Sequence, residues 1–268
     1  MTKRYLFACL LAVIMAGTVL YITGQMELNL AKSEILSGYT LLGLIIFLGA
    51  FNLRKKLSML PLLKASTWLV FHVVVGLLCI FLFWLHTASI WPDGNYEIAL
   101  TIIFYLVFLT GIGGLFIQKS NAIKLTETGI EVIYERIPAE LSEIRERCEA
   151  IVLECTETTS SDTVANHYIA TLAWYFKRPR FYWPTLLGHG NAKTWLRNNQ
   201  ASVRRYLNEE ETGYFNQLVE LAELKQLIDE HYTLQDINKK WLLVHLPLSV
   251  GLLIISFWHL LLVEVFAI

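Results

Sequence analysis

Five apolar stretches, each long enough to cross a bilayer as a helix, constrain this chain more than any other feature. They run roughly over 5–23, 36–53, 65–91, 98–117 and 241–268. Spanning the hydrocarbon core takes about 20 predominantly apolar helical residues. Composition agrees: charged residues are 17% of the 268 and mean hydropathy is +0.48, against about 25% charged in soluble domains. The charges are unevenly placed, with 13 basic and 18 acidic side chains between positions 119 and 236 and very few in the apolar runs. These features predict an integral membrane protein, with membrane lipid as a partner and one soluble domain. The first run is longer than a signal-peptide core and no small-x-small cleavage site follows it, so it is expected to be retained. A net charge of −1 argues against nucleic acid as a partner. Cys9, Cys79, Cys148 and Cys155 have neither zinc-ligand nor disulfide-framework spacing.

Orientation follows from the loops. Lys3 and Arg4 precede the first run, Arg54, Lys55, Lys56 and Lys64 join the second to the third, Lys119 follows the fourth, and Lys239 with Lys240 precede the fifth. The opposite loops carry Glu27, Glu34, Asp93 and Glu97 against Lys32 alone. The positive-inside rule then predicts a multi-pass protein of the cell (inner, cytoplasmic) membrane, with its N-terminus and soluble domain in the cytoplasm and its C-terminus outside.

The expected domains are 1–117 with four spans, 118–238 as a cytoplasmic domain, and 239–268 as the last span. The cytoplasmic part reads as α+β. Alternation in Ile123-Lys-Leu-Thr and Ile130-Glu-Val-Ile-Tyr around Gly129 predicts a hairpin, and 150–156 and 167–176 read as further strands. Helices are expected at 138–149, 192–208 and 209–230. A capping-box pattern at Thr233-Leu-Gln-Asp236 is expected to start the last helix.

Four of the seven histidines lie inside apolar runs, where ionisable side chains are rare and usually functional. His72 and His86 share the third run; His245 and His259 share the fifth. Each pair is separated by fourteen positions. That interval turns about 1400°, some 40° short of four turns, so both rings of a pair occupy one helix face about 21 Å apart. The predicted topology makes the two helices parallel, bringing His72 level with His245 and His86 level with His259. Two imidazoles facing each other at one depth can ligate a haem iron from both sides, and two such levels make a stacked dihaem bundle. Membrane histidines also serve as interhelical hydrogen-bonding groups or proton relays. Neither alternative requires the same interval twice, a coincidence of about one in twenty given the intervals a spanning helix offers.

This repeated H-x13-H on two parallel helices resembles the transmembrane dihaem b-type cytochromes, above all cytochrome b of quinol-oxidising complexes and more loosely ferric reductases. The resemblance covers the second to fifth runs and implies axial ligands at His72, His86, His245 and His259. The first run and the 120-residue insertion depart from cytochrome b, so no quinone-site residue carries over. The expected fold is an all-α transmembrane bundle of five spans, four of them forming a dihaem bundle, with the α+β domain inserted before the last.

Other features discriminate less. Gly43, Gly49, Gly76, Gly111, Gly113, Gly114 and Gly251 either give a porphyrin room or allow close helix packing. Pro247 removes one helical hydrogen bond near His245. Trp84 and Trp258 are either haem neighbours or interfacial anchors. The run Lys177-Arg-Pro-Arg-Phe-Tyr-Trp183 mixes cations with aromatics and reads as a solvated loop unless headgroups or a partner meet it. No G-x-G-x-x-G follows a strand and no C-x-x-C-H is present, so the chain is not expected to reduce haem from NADH itself. The function expected is that of an electron-transfer subunit with two b-type haems, joined to redox protein subunits of a larger complex, with a quinone as one exchange partner. The alternatives are proton or metal transport through the histidines, or a scaffold subunit.

Overall fold

The computed structural model describes residues 2–52 and 64–266, and every regular element within them is helical. The helices are α1 (Thr2–Leu28), α2 (Ser33–Gly49), α3 (Ala65–Thr87), α4 (Asn95–Glu127), α5 (Ile137–Thr159), α6 (Thr163–His167), α7 (Ala173–Phe176), α8 (Tyr182–Leu186), α9 (Asn191–Val203) and α10 (Glu209–Phe266). Two compact units result: Met1–Gly113 with Leu242–Ile268, and Gly114–Trp241. The basic loop residues Arg54, Lys55 and Lys56, and the C-terminal Ile268, lie outside the described residues.

The expectation of five spans is corrected to four. Among the described residues α1, α3, α4 and α10 are long and apolar enough to cross a membrane, which is the make-up of a multi-pass membrane protein. The second apolar stretch forms a helix of only 17 residues, about 25 Å long, before a 3₁₀ turn at Ala50–Asn52. The apolar part of α10 begins at Trp241, so this one helix runs from a polar half into an apolar one.

In the first unit α1 and α3 run parallel: Arg4 Nη1 donates to Ser66 Oγ at 3.0 Å, and Phe7 meets Phe71 edge-on at 6.5 Å. Antiparallel to both runs α2, whose Phe47 stacks on Trp68 near the start of α3 while its Ser37 reaches His86 near the end. Val75, Leu78, Cys79 and Leu82 of α3 recur at i, i+3, i+4 and i+7 and are buried with Leu41, Ile45, Phe104 and Leu252, the stripe an amphipathic helix turns to its neighbours. Phe83 and Phe104 stack at 4.4 Å within this core. Gly49 lets Leu253 approach: a Cβ there would stand 2.7 Å from Leu253 Cδ1.

The second unit overturns the α+β expectation, because no strand occurs among the described residues. The first half of the predicted hairpin, Ile123-Lys-Leu-Thr, continues α4; only 129–133 is non-helical, held by Gln235 Nε2 donating to the Val132 carbonyl. The predicted strand 150–156 lies inside α5. There Ile137, Leu141, Ile144, Cys148, Val152 and Cys155 form one buried line with helical spacing, a longer-range period than the local apolar run suggested. The predicted strand at 167–176 is a π-helical turn, Tyr168–Leu172, between α6 and α7, burying Tyr168, Leu172, Tyr175 and Phe176. β-branched and aromatic residues favour strands only as far as neighbours let them, and here a helical partner surface decides.

The last helix does not start at Thr233, whose hydroxyl donates to the Asp229 carbonyl within unbroken helix. The capping box is at Asn208 and Glu211: Glu211 N–H donates to Asn208 Oδ1 at 2.7 Å, and Asn208 N–H donates to Glu211 Oε2 at 2.8 Å. These reciprocal bonds satisfy two backbone donors at the start of α10. The helix also passes Pro247 without interruption.

Candidate functional site

All four histidines singled out by spacing belong to the first unit, and they stand in two pairs. His86 and His259 hold their ring centroids 6.3 Å apart with the planes at 84°. His72 and His245 are within electrostatic range of each other. His86 and His259 meet near the C-terminal ends of α3 and α10, and His72 and His245 lie fourteen positions earlier on each, so the two segments run parallel. One helix rise separates the levels by about 21 Å.

What holds each ring also fixes its proton. His86 Nδ1 lies 3.1 Å from the Glu34 carbonyl and 3.2 Å from Ser37 Oγ. A carbonyl only accepts, so Nδ1 carries the hydrogen and Nε2 keeps its lone pair. His245 Nδ1 lies 2.9 Å from Thr110 Oγ1, whose own hydroxyl donates to the Leu106 carbonyl at 2.7 Å. When that hydroxyl donates to Leu106, Thr110 accepts from Nδ1–H and Nε2 of His245 is the basic nitrogen. Hydrogen bonds of this kind at Nδ1 orient metal-ligating imidazoles and raise their basicity.

The outer pair borders a cavity of about 310 Å³ between α2, α3, α4 and α10, at the lower end of the range for ligand pockets. Leu41, Ile45, Phe83, Phe104, Leu252 and Leu260 give it an apolar lining, while Glu34, Glu97, Glu264 and Thr101 contribute polar groups. Thr101 is 1% exposed, and its hydroxyl has no hydrogen-bond partner among the described residues. On its other side His259 stacks on Tyr96 at 6.0 Å and 16°.

At the inner level Phe51 packs on His72 at 4.9 Å. Trp68 Nε1 and His72 Nδ1 are buried with no hydrogen-bond partner among the described residues, the condition of donors that an additional group would satisfy. Gly111 brings α4 within 3.4 Å of His245 Cε1, measured from where a Cβ would stand. No family model, curated protein or solved structure matches this chain. The site therefore rests on its own geometry. Among the described residues no three His, Cys, Asp or Glu side chains converge as a metal-holding group. Two imidazoles per level are too few for a tetrahedral zinc site.

Several contributors escaped the sequence reading. Ser37, Thr110 and Tyr96 are ordinary residues in apolar helices, and only their polarity within such runs hinted at a role. Gly38 was missed too: a Cβ there would stand 2.9 Å from His86 Cε1, so its hydrogen lets α2 touch the ring. The glycines flagged earlier divide by role. Gly49 and Gly114 admit Leu253 and Trp241, and Gly111 approaches His245, whereas Gly43, Gly76, Gly113 and Gly251 have nothing within 4 Å of a Cβ position. Trp84 donates to Tyr105 on an exposed face, and Trp258 is 56% exposed, which favours interfacial anchoring for both. His167 meets Phe215 edge-on, and His231 bonds Thr128. Both belong to the second unit, apart from the four.

The second unit also buries an ion pair. Lys225 Nζ contacts Asp229, donates to the Arg178 carbonyl at 3.1 Å, and sits 3.9 Å above the Tyr175 ring. Burial pushes the Lys225 ammonium below its usual range and the Asp229 carboxyl above its own, each opposed by the partner's charge.

Proposed function

We propose that the chain is a dihaem b-type cytochrome, an electron-transfer subunit that carries single electrons between the two faces of the cell membrane. His72 with His245 would hold one haem and His86 with His259 the other. When bound, such groups supply one-electron redox chemistry, and two histidine ligands favour electron transfer over oxygen binding. The observation that carries the reading is that one imidazole of each pair, His86 and His245, is held at Nδ1 by Glu34 with Ser37 and by Thr110, an arrangement in which Nε2 would be the ligating nitrogen.

The chain's own residues then have defined tasks. The Glu34 carbonyl and the Ser37 and Thr110 hydroxyls orient the ligands and keep their Nδ1 atoms protonated. Leu41, Ile45, Phe83, Phe104 and Leu252 exclude water from the outer level, and such burial tunes potential. The helical unit from Gly114 to Trp241 would dock redox protein subunits, and a quinone is a candidate exchange partner at one end. The loop charges support an N-terminus and helical unit in the cytoplasm and a C-terminus outside. Fusions of a periplasm-dependent reporter to the C-terminus (active) and near Thr158 (inactive) test that placement.

A reduced-minus-oxidised visible spectrum of the purified full-length chain is the direct test. A b-type α-band with about two haems per chain is expected. A chain purified from haem-replete membranes without that band would instead be a proton or metal carrier, or a scaffold.

A further inference from the structure

Two helices of the second unit, α5 and α9, carry opposite charge on their outer sides. Six acids stand on α5 against two bases, Arg145 and Arg147, which are paired with Glu149 and Glu143. The stretch from Thr163 to Asn208 that holds α9 has seven Lys and Arg and no Asp or Glu. Burying the line from Ile137 to Cys155 turns the opposite side of α5 outward. That side shows Glu146, Ala150, Leu153 and Glu157 at i, i+4, i+7 and i+11, all exposed, with Leu153 at 64%. The inner side of α9 is fixed by Leu196, buried in the same core, and by Trp195, whose ring lies 5.8, 5.0 and 5.8 Å from those of Trp174, Tyr175 and Phe181. Its outer side shows Lys193, Arg197 and Ala201, and the 3₁₀ turn that continues it adds Arg204, all exposed.

The two stripes match in length and order. Each covers eleven positions, about 16 Å of helix, with a charge at either end and an alanine between. Set antiparallel, Glu157 falls opposite Lys193, Leu153 opposite Arg197 and Glu146 opposite Arg204, while Ala150 comes within one residue of Ala201. Among the described residues none of these five charged side chains belongs to an ion pair. Glu146 accepts from Ser142 Oγ at 3.2 Å and Arg204 donates to Asn216 Oδ1 at 2.9 Å, which leaves both with further hydrogen-bonding capacity.

We propose that the protein self-associates through these stripes, α5 of one copy packing antiparallel on α9 of a second copy. The alanines let the helix axes approach to the usual 8–10 Å. Arg197 lays its methylenes over the exposed Leu153 while its guanidinium stays in water. The end charges fix register and select the partner. A second copy is the occupant because the stripe that complements each face, in sign and in spacing, is carried by this same chain. None of the four membrane histidines takes part, so the contact stands or falls apart from the electron-transfer reading.

The test is sedimentation of the full-length protein in a density-matched non-ionic detergent over a range of protein concentrations. The wild type should associate, and less so in high salt. Glu146→Lys/Glu157→Lys and Lys193→Glu/Arg197→Glu should each raise the dissociation constant about tenfold or more. Mixed in equal amounts, these two variants again oppose acid to base and should associate as the wild type does. The milder Glu157→Gln and Lys193→Gln should each weaken association severalfold, and together no more than either alone, because both remove one contact. A wild type that stays monomeric at every concentration, or reversals that leave association unchanged, would overturn the proposal. So would additive effects of the two neutral variants, which keep the fold whatever the reversals do.

Discussion

His86 and His259, on separate helices, hold their imidazole centroids 6.3 Å apart beside a mostly apolar cavity. Since each haem would need both members of its pair, His86→Ala and His259→Ala should produce the same loss, and His72→Ala and His245→Ala should share a different one. Haem content per chain should fall from about two toward one in each single variant. Redox titration of the surviving haem decides the pairing: a shared surviving potential for His72→Ala and His259→Ala would break it.

The hydroxyl behind His245 gives a subtler variant. Thr110→Val keeps the shape of the side chain but removes the acceptor for Nδ1–H. Loss of such outer partners typically weakens metal retention about 10–100-fold, here measured as haem loss during dilution. Ser37→Ala should weaken retention much less, because the Glu34 carbonyl still accepts from His86 Nδ1.

A methyl group in place of hydrogen should disturb two close approaches. Gly114→Ala would place a Cβ 2.0 Å from Trp241 Cε2, a clash inside the second unit, and overpacking of this kind costs about 1–3 kcal/mol. Gly38→Ala presses on the His86 ring instead, so under the proposed function its effect should appear in the visible spectrum of the haem that His86 would hold. Thermal unfolding and the visible spectrum together separate the two outcomes.

The buried Lys225–Asp229 pair lends itself to a double-mutant cycle. Lys225→Met leaves a buried carboxyl without its cation and should destabilise the protein by about 3–5 kcal/mol. Adding Asp229→Leu should recover most of that loss, since replacing a whole buried pair with apolar groups is often neutral. Denaturant unfolding of the single and double variants measures the coupling.

Acid should act on the capping box of α10. Glu211 is 2% exposed, and its carboxyl pKa is lowered chiefly by the Asn208 backbone N–H and then by the Ser161 hydroxyl. A depressed carboxyl binds fewer protons folded than unfolded, so its contribution is full above the ordinary Glu range and is lost as pH falls below it. Glu211→Gln should flatten the unfolding midpoint's pH dependence between about pH 5 and 3, and Asn208→Ala should cost about 1 kcal/mol at neutral pH. An unchanged acid limb in Glu211→Gln would remove this residue from the account.

What could be read from the sequence was what a one-dimensional period encodes. An interval of fourteen positions from His72 to His86, and again from His245 to His259, puts each pair on one face whatever packs against it. Hydropathy marked the apolar helices, though helix length gives four where stretches of hydropathy suggested five, because Ser33–Gly49 ends after 17 residues. The second unit was misread because short β-branched and aromatic runs such as 150–156 look alike in a strand and in a buried helix. Only the partner surface, here the line from Ile137 to Cys155, selects between them. The sequence was equally silent on Ser37, Gly38, Thr110 and Tyr96, which are 49, 48, 135 and 163 positions from the histidines they touch. Sequence periodicity thus determined which faces carry the imidazoles. Which groups hold the rings of His86 and His245 was decided by the tertiary structure, since a hydrogen-bond partner on another helix leaves no trace in local sequence.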